Sequence, residues 1–238
     1  MTHDILSTLS GTEIFIRLIW LFVFIITVLM LILCYLFLAA RRARELEAQN
    51  QAFTYLTIEG LEMERQRISR ELHDIVLPLV KDQTVSGLIR SICVELASPD
   101  FSKISIRDTL IDFCVKFSER TGIKCAYSME ESLDFSLYKS ENQLHIYRMI
   151  QESFNNIEKH SNAGQAVLTA RHYNRGSSKS ILICVSDDGK GGPVKNGLGT
   201  MNMKQRAAIL GAKLDFISET GNGIMVRIKI PLPVILSR

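Results

Sequence analysis

The sequence contains no paired cysteine spacing. Its five cysteines, Cys34, Cys93, Cys114, Cys125 and Cys184, stand singly in apolar runs. Neither a disulfide framework nor a zinc site is expected, and reduced structural thiols are the reading. Proline is as scarce: none of the five precedes Pro78, and between Arg41 and Pro78 glycine occurs only at Gly60. Little in that stretch can interrupt a helix. Charge of one sign is also lacking. The net charge of +3 is too small for a nucleic-acid footprint, and part of it is the cluster Arg41, Arg42 and Arg44; no direct nucleic-acid contact is expected. Neither G-x-x-x-x-G-K-[ST] nor G-x-G-x-x-G occurs, which argues against the P-loop and dinucleotide-binding readings. No internal repeat or low-complexity tract is visible.

One charge-free stretch is informative in itself. Leu18 to Ala40 is 23 residues without a charged side chain, and as a helix it reaches about 34 Å, enough for a bilayer core. A signal peptide fits poorly, because the run is too long and no basic region leads it. Residues 1–13 hold no Lys or Arg, whereas three arginines follow the run at once. That asymmetry places the C-terminal side in the cytoplasm, so a single-pass cell-membrane protein is expected. Its expected parts are a short extracytoplasmic N-terminus (1–13), a transmembrane helix (14–40) and a helical linker (41–60). With about thirteen residues ahead of the span, no external sensor domain is expected.

Beyond the linker, Leu61, Ile68 and Ile75 repeat at seven, with Leu72 and Leu79 four residues after the last two, a stripe suited to helix pairing. A second amphipathic helix is expected from Thr84 to Leu96, giving a hairpin (61–98) that would dimerise into a four-helix bundle. After the break Ser98-Pro99-Asp100 the pattern becomes mixed. It predicts helices over Ser105–Thr121, Glu141–His160 and Met201–Leu210. Strands are expected over Ile123–Met129, Ala166–Tyr173, Ser180–Ser186, Lys213–Ser218 and Ile224–Pro231. The fold class is therefore α+β, with an α/β domain over 102–238.

Three constellations could do chemistry. On the Glu141–His160 helix, Ile146, Ile150, Phe154 and Ile157 define a buried face, while Arg148, Glu152, Asn156 and Lys159 fall together on another. A carboxylate, an amide oxygen and a cation one turn apart can serve a magnesium ion and the phosphates it carries; an ordinary charged helix face is the competing reading. Five of the fourteen glycines fall between Gly189 and Gly199, after an apolar strand ending at Asp187. Asp187-x-Gly189-x-Gly191 sets a carboxylate at a strand end where backbone can approach a flat ligand. Gly197-x-Gly199 opens a helix whose free N–H groups attract phosphate. Finally, His73 stands among Arg70, Glu71, Leu72 and Asp74. Asp74 can hold one ring nitrogen protonated and leave the other free to attack a phosphoryl group, although a surface histidine on a charged helix is the blander reading.

In order and spacing these pieces resemble the sensor histidine kinases of two-component systems. The subfamily is the one with an Arg-Glu-Leu-His-Asp acceptor motif, here Arg70 to Asp74, and the resemblance covers about Glu62 to Leu232. Gln151–Ala163 resembles the family's asparagine box, Val185–Gly192 its first glycine box and Gly197–Leu214 its second. The resemblance implies a dimerising helical hairpin followed by an α/β sandwich ATP-binding domain of the GHKL type. His73 would accept the γ-phosphoryl of ATP, with Asp74 as base or orienting partner. Asn156 would bind magnesium with Glu152 nearby, Lys159 would contact phosphate, and Asp187 would accept a hydrogen bond from the adenine amino group. Gly189, Gly191, Gly197 and Gly199 would shape the nucleotide loops around a short lid. The implied partners are a second copy of the chain and a response regulator with a helix-turn-helix output domain. The stimulus would enter through the membrane helix, a partner membrane protein or the linker.

Two departures from the family pattern keep other readings open. Pro78 stands four residues after Asp74, where the subfamily commonly carries a glutamine that assists dephosphorylation, and proline cannot orient a water. The hairpin is short, with about twenty residues from His73 to Leu96. Ile224 also stands where family members often carry a threonine. An ATP-binding signalling adaptor, or weak pseudokinase, pairing with another kinase is the alternative. An ATP-driven clamp related to gyrase and heat-shock chaperones is a third, against which the full acceptor motif argues.

Overall fold

The structure is a computed structural model and describes residues 2–175, 178–194 and 197–233. The chain divides into two units, Met1–Phe53 and Thr54–Arg238. Helix α1 (Thr2–Glu71) supplies the described residues of the first unit and the start of the second. Every side chain from Glu13 to Asn50 is exposed, Trp20 and Phe22 included. The apolar run thus has no protein around it, and it lies in the one helix among the described residues long and apolar enough to cross a membrane.

Within the second unit, α1 gives way at Leu72 to a wider, π-helical turn (Leu72–Val76), then to a 3-10 turn (Leu77–Leu79) and extended backbone at Val80. Pro78 explains the sequence of events. Having no N–H, it cannot continue the α pattern, and the neighbouring Leu77 N–H bonds instead to the Leu72 carbonyl, five residues back. The expected disturbance past the histidine therefore reaches His73 itself. Asp82 restarts the chain as α2 (Gln83–Leu96), its Oδ1 accepting from Thr84 N–H at 2.7 Å and Val85 N–H at 3.1 Å. The Ser69 hydroxyl donates to the Cys93 carbonyl at 2.9 Å and ties α2 back to α1.

The remainder is two-layered. Ser105 caps α3 (Ile106–Thr121), which ends at left-handed Gly122. Then follow β1 (Lys124–Met129), α4 (Ser140–His160), β2 (Gln165–Arg175), β3 (Ser178–Asp187), α5 (Leu198–Ile209), β4 (Lys213–Ser218) and β5 (Ile224–Pro231). The sheet order is β1-β2-β3-β5-β4. Only β1 and β2 run parallel, as the crossover through α4 requires. Alternate residues of the central strands, Leu168, Ile181, Ile183, Val185, Ile228 and Ile230, face the helices. Against them pack Leu110 and Phe117 of α3 and Ile146, Ile150, Phe154 and Ile157 of α4. The Phe117 and Phe154 rings meet edge-on at 4.9 Å. The predicted elements of this domain are present, two strands with both ends as expected and no end shifted by more than three residues, α5 beginning at Leu198 rather than Met201.

Candidate functional site

At one end of α4 and α5 lies a cavity of ≈ 490 Å³, within the range of about 300–1,000 Å³ usual for small-molecule sites. Ile157, Phe216, Ile224 and Val226 supply apolar wall; Glu152, Asn156, Lys159, His160 and Asp187 supply polar groups. The periodicity of α4 accounts for this split. Its apolar face enters the core, and the residues one position further round the helix turn toward the cavity.

Three of the four polar residues expected to share a face of α4 do line the cavity: Glu152, Asn156 and Lys159. Arg148 does not. It is 3 % exposed and bonds to Glu62, Gln151 and the end of α2. Residues four apart share a face only approximately, and a long guanidinium swings to whichever carboxylate is buried nearby.

The glycines set the opposite wall. Gly191, Gly197 and Gly199 line the cavity; Gly189 lies behind it, against Ser161, with its N–H donating to Asp187 Oδ1 at 2.9 Å. At Gly191 the backbone turns left-handed (φ +59), and a Cβ there would strike the Glu219 carbonyl oxygen. Gly197 is the residue before α5 and offers no side-chain cap, so the first N–H groups of that helix open toward the cavity. Gly199 lies against the Glu152 carboxylate, where a Cβ would collide with Oε1. The middle of the expected lid, 195–196, lies outside the described residues.

Asp187 closes the strand end. Besides the Gly189 N–H, its Oδ2 accepts from the Ile224 N–H at 3.3 Å. Burial pushes its carboxyl up, the two N–H bonds pull it partly back, and the neighbouring Asp188 charge adds to the rise. Asp188 itself points away, its Oδ1 accepting at 2.8 Å from Gly164 and Gln165 N–H. With Ile224 in place of a hydroxyl-bearing residue, the contact to Asp187 from that strand is backbone alone.

His73 is not among the residues that line the cavity. It sits in the π-helical turn, its Nδ1 2.9 Å from Asp74 Oδ1, with about two thirds of each side chain in solvent. If Nδ1 carries the ring proton, Asp74 accepts it and the Nε2 lone pair faces outward.

Reading along the chain missed a buried ionic cluster. Glu62, 7 % exposed, receives Arg148 at Oε1 through Nε (2.8 Å) and Nη2 (2.5 Å), the Ser98 hydroxyl at 2.5 Å, and Arg206 Nη2 at Oε2 (3.1 Å). Arg206 Nη1 also donates to His145 Nδ1 at 3.0 Å. Burial, reinforced by the Arg206 charge, lowers His145 to about 4, so the imidazole is neutral and accepts. Burial raises the Glu62 carboxyl, but the hydrogen bonds and charge of Arg148, with Ser98 and Arg206, outweigh it and leave it below the usual range. No sequence signal announced this set; its members are separated by up to 144 positions.

Residues 141–234 match the family model described as histidine kinase-, DNA gyrase B-, and HSP90-like ATPase. The match takes in α4, the glycine cluster, α5 and β5 and identifies the cavity-bearing domain as an ATPase domain of this kind, which implies ATP as its nucleotide. Sensor protein VraS of Staphylococcus saprophyticus subsp. saprophyticus is similar over 204 residues at 26 % identity, covering 72 % of this chain and 56 % of VraS. The chain thus spans little more than half the length of that relative. Among solved structures, the histidine kinase domain of the Erythrobacter litoralis EL346 blue-light activated histidine kinase is similar at 18 % identity and a TM-score of 0.47, covering 70 % of this chain and 95 % of that one. Full-length ShkA in complex with AMPPNP has a TM-score of 0.47 at 15 % identity, covering 74 % of this chain and 45 % of that one.

Proposed function

We propose that the chain is a membrane-anchored sensor histidine kinase that phosphorylates its own His73 from ATP and passes the phosphoryl group to an aspartate of a response regulator. One observation carries the reading: a chain whose ATPase-type domain holds a cavity lined by Glu152, Asn156 and Asp187 also presents an exposed, carboxylate-paired histidine on a helix of the same unit. Asp187 would take the adenine amino group against the apolar wall of Ile224 and Val226. Gly197, Gly199 and Lys159 would hold the phosphates.

His73 Nε2 would form the bond to the γ-phosphorus as the bond from that phosphorus to the bridging oxygen breaks, releasing ADP. Asp74 would stabilise the positive charge that develops on the ring, and take the Nδ1 proton. Placement and electrostatics supply most of such a transfer. Asn156 and Glu152 offer oxygen donors suited to magnesium, which keeps most of its shell as water and phosphate oxygen. Among the described residues no group of three His, Cys, Asp or Glu side chains forms a dedicated metal cage. When bound, the ion would neutralise charge on the transferring phosphoryl group.

The span 14–40 would anchor the chain once in the cell membrane with the ATPase domain in the cytoplasm. The regulator partner would carry a helix-turn-helix output domain. The exposed apolar residues Ile75 and Leu79, with Leu88 and Ile92 of α2, are the face on which a second copy would pair. A partner protein in the membrane would fit a sensing route through the span.

The adaptor reading, in which ATP binds but little phosphoryl moves, is favoured by one specific feature, the α-helix giving way just before His73 to the irregular turns that run to Pro78. The test is incubation of the full chain, in membrane vesicles, with γ-labelled ATP and magnesium. Acid-labile label on the parent and none on His73→Gln or Asn156→Ala is expected. ATP binding without label on the parent would overturn the kinase in favour of the adaptor.

A further inference from the structure

The buried Glu62 cluster lies outside the cavity and takes no part in the chemistry above. Its position is informative. In the stretch of α1 that belongs to the second unit, Thr54–Glu71, only Ile58 and Glu62 are buried; Leu61 and Met63 beside them are exposed. This helix, which carries His73 eleven residues beyond Glu62, is tied to the ATPase domain through the Glu62 carboxylate. The carboxylate is clamped from both cavity-wall helices. Arg148 stands one turn before Glu152 on α4, and Arg206 stands on α5, the helix that Gly199 opens. Arg148 reaches further, to the Leu96 and Ala97 carbonyls (3.2 and 3.3 Å) and the Ser98 hydroxyl (3.1 Å). These residues are the only covalent link from α2 into the domain. A single arginine thus holds both the helix and the hinge.

The energetics of such a cluster favour a device that opens. Burying one carboxylate and two guanidiniums costs much of what their attraction returns, so an intact buried cluster contributes little net stability. Removing one partner, by contrast, strands the opposite charges and is strongly unfavourable until they reach water. A contact of that kind has two states, closed with all partners or open with all hydrated, and few intermediates. In the closed state seen here His73 is away from the cavity wall.

We propose that Glu62, gripped by Arg148 and Arg206, is a positioning residue: it latches the His73-bearing helix against the ATPase domain with His73 off the cavity, and the latch must open before His73 reaches the nucleotide. The latch stands on the geometry; its effect on transfer rests on the kinase reading. Glu62→Gln keeps the size and the hydrogen-bonding oxygen but removes the negative charge that both buried guanidiniums share. It opens the latch and speeds labelling of His73 roughly tenfold, with ATP affinity unchanged because no cavity residue is altered.

The experiment uses the full chain in membrane vesicles with keto-reactive spin labels at Gln66 and Ala208, both exposed, leaving the native cysteines untouched. The parent should give one narrow distance distribution, and Glu62→Gln and Arg206→Gln a broader, longer one. Unaltered ATP affinity and an unaltered melting temperature of the ATPase domain verify that the variants are folded. Distances that do not change would overturn the latch, and so would opened distances with labelling slower than or equal to the parent's. If no chain takes up label while the distances still shift, the kinase reading fails and the latch stands as a conformational contact alone.

Discussion

The ATPase domain and the helical segment before it are built on opposite terms. The domain buries its own core: Phe154, Ile146, Ile150, Leu168 and Ile183 are all fully enclosed. Among its described side chains the helical segment, residues 54–96, buries only Ile58, Glu62, Ser86 and Cys93 and leaves Ile75, Leu79, Leu88 and Ile92 in solvent. One region is complete in a single chain. The other leaves apolar surface in solvent, the face on which we propose that a second copy pairs, and its histidine, the proposed acceptor, is exposed and lies off the cavity. In the proposed reading the nucleotide is held by a structure that does not need to move, whereas the acceptor rides on one that does.

Separating the two regions by mutation gives the largest expected effect. His73→Gln should abolish acid-labile label while ATP affinity, measured by fluorescence titration, stays at the parent value. A loss of both would mean that the regions are not separable. Next in size, Phe154→Ala empties the centre of the core and should cost the domain about 3–5 kcal/mol, read as a lowered melting temperature. Leu88→Glu acts only on the other region. A charge buried in the pairing face should raise the dimer dissociation constant roughly a hundredfold, measured by sedimentation, with the domain's melting point unmoved.

The pH dependence is subtler. If Asp187 accepts from the adenine amino group as proposed, binding requires the ionised carboxylate, and burial raises that group's pKa. ATP affinity should therefore fall as pH falls, with its midpoint above the usual aspartate value of about 3.9. Asp187→Asn should remove this dependence along with much of the affinity. At Glu62 the pKa shift is in the opposite direction, so the loss on acidification comes at lower pH. Its carboxyl is held low, so the contribution of its ion pairs is present above the unfolded value and is lost only as pH falls below the ordinary carboxylate range. The smallest effect belongs to Arg67, whose pairs with Glu64 (2.5 Å) and Glu71 (2.7 Å) are about half in solvent. Arg67→Ala should leave the melting temperature within error, in contrast to the buried pairs one turn away.

Much of the domain was legible because its signals are local. The spacing of Ile146, Ile150, Phe154 and Ile157 named the buried face of α4, and alternation in β5 named Val226, Ile228 and Ile230. The cavity residues of the glycine loops could be found because glycine is demanded by backbone approach, which a sequence displays directly. Arg148 was misplaced because a helical face specifies where a residue begins, not where a long side chain ends. Glu62, Arg206 and His145 were invisible for a related reason: their partners are 61 to 144 positions away. Pro78 was expected to disturb the helix beyond the histidine, but the wider turn it ends includes the histidine itself.

The central claim, that the exposed histidine and not one beside the cavity receives the phosphoryl group, is tested most directly by locating the phosphate. Full-length chain labelled from ATP and digested at neutral pH, so that phosphohistidine survives, can be sequenced by mass spectrometry. The account predicts phosphate on His73 and none on His160, which lines the cavity. Phosphate on His160, or on any residue of the cavity wall, would contradict it.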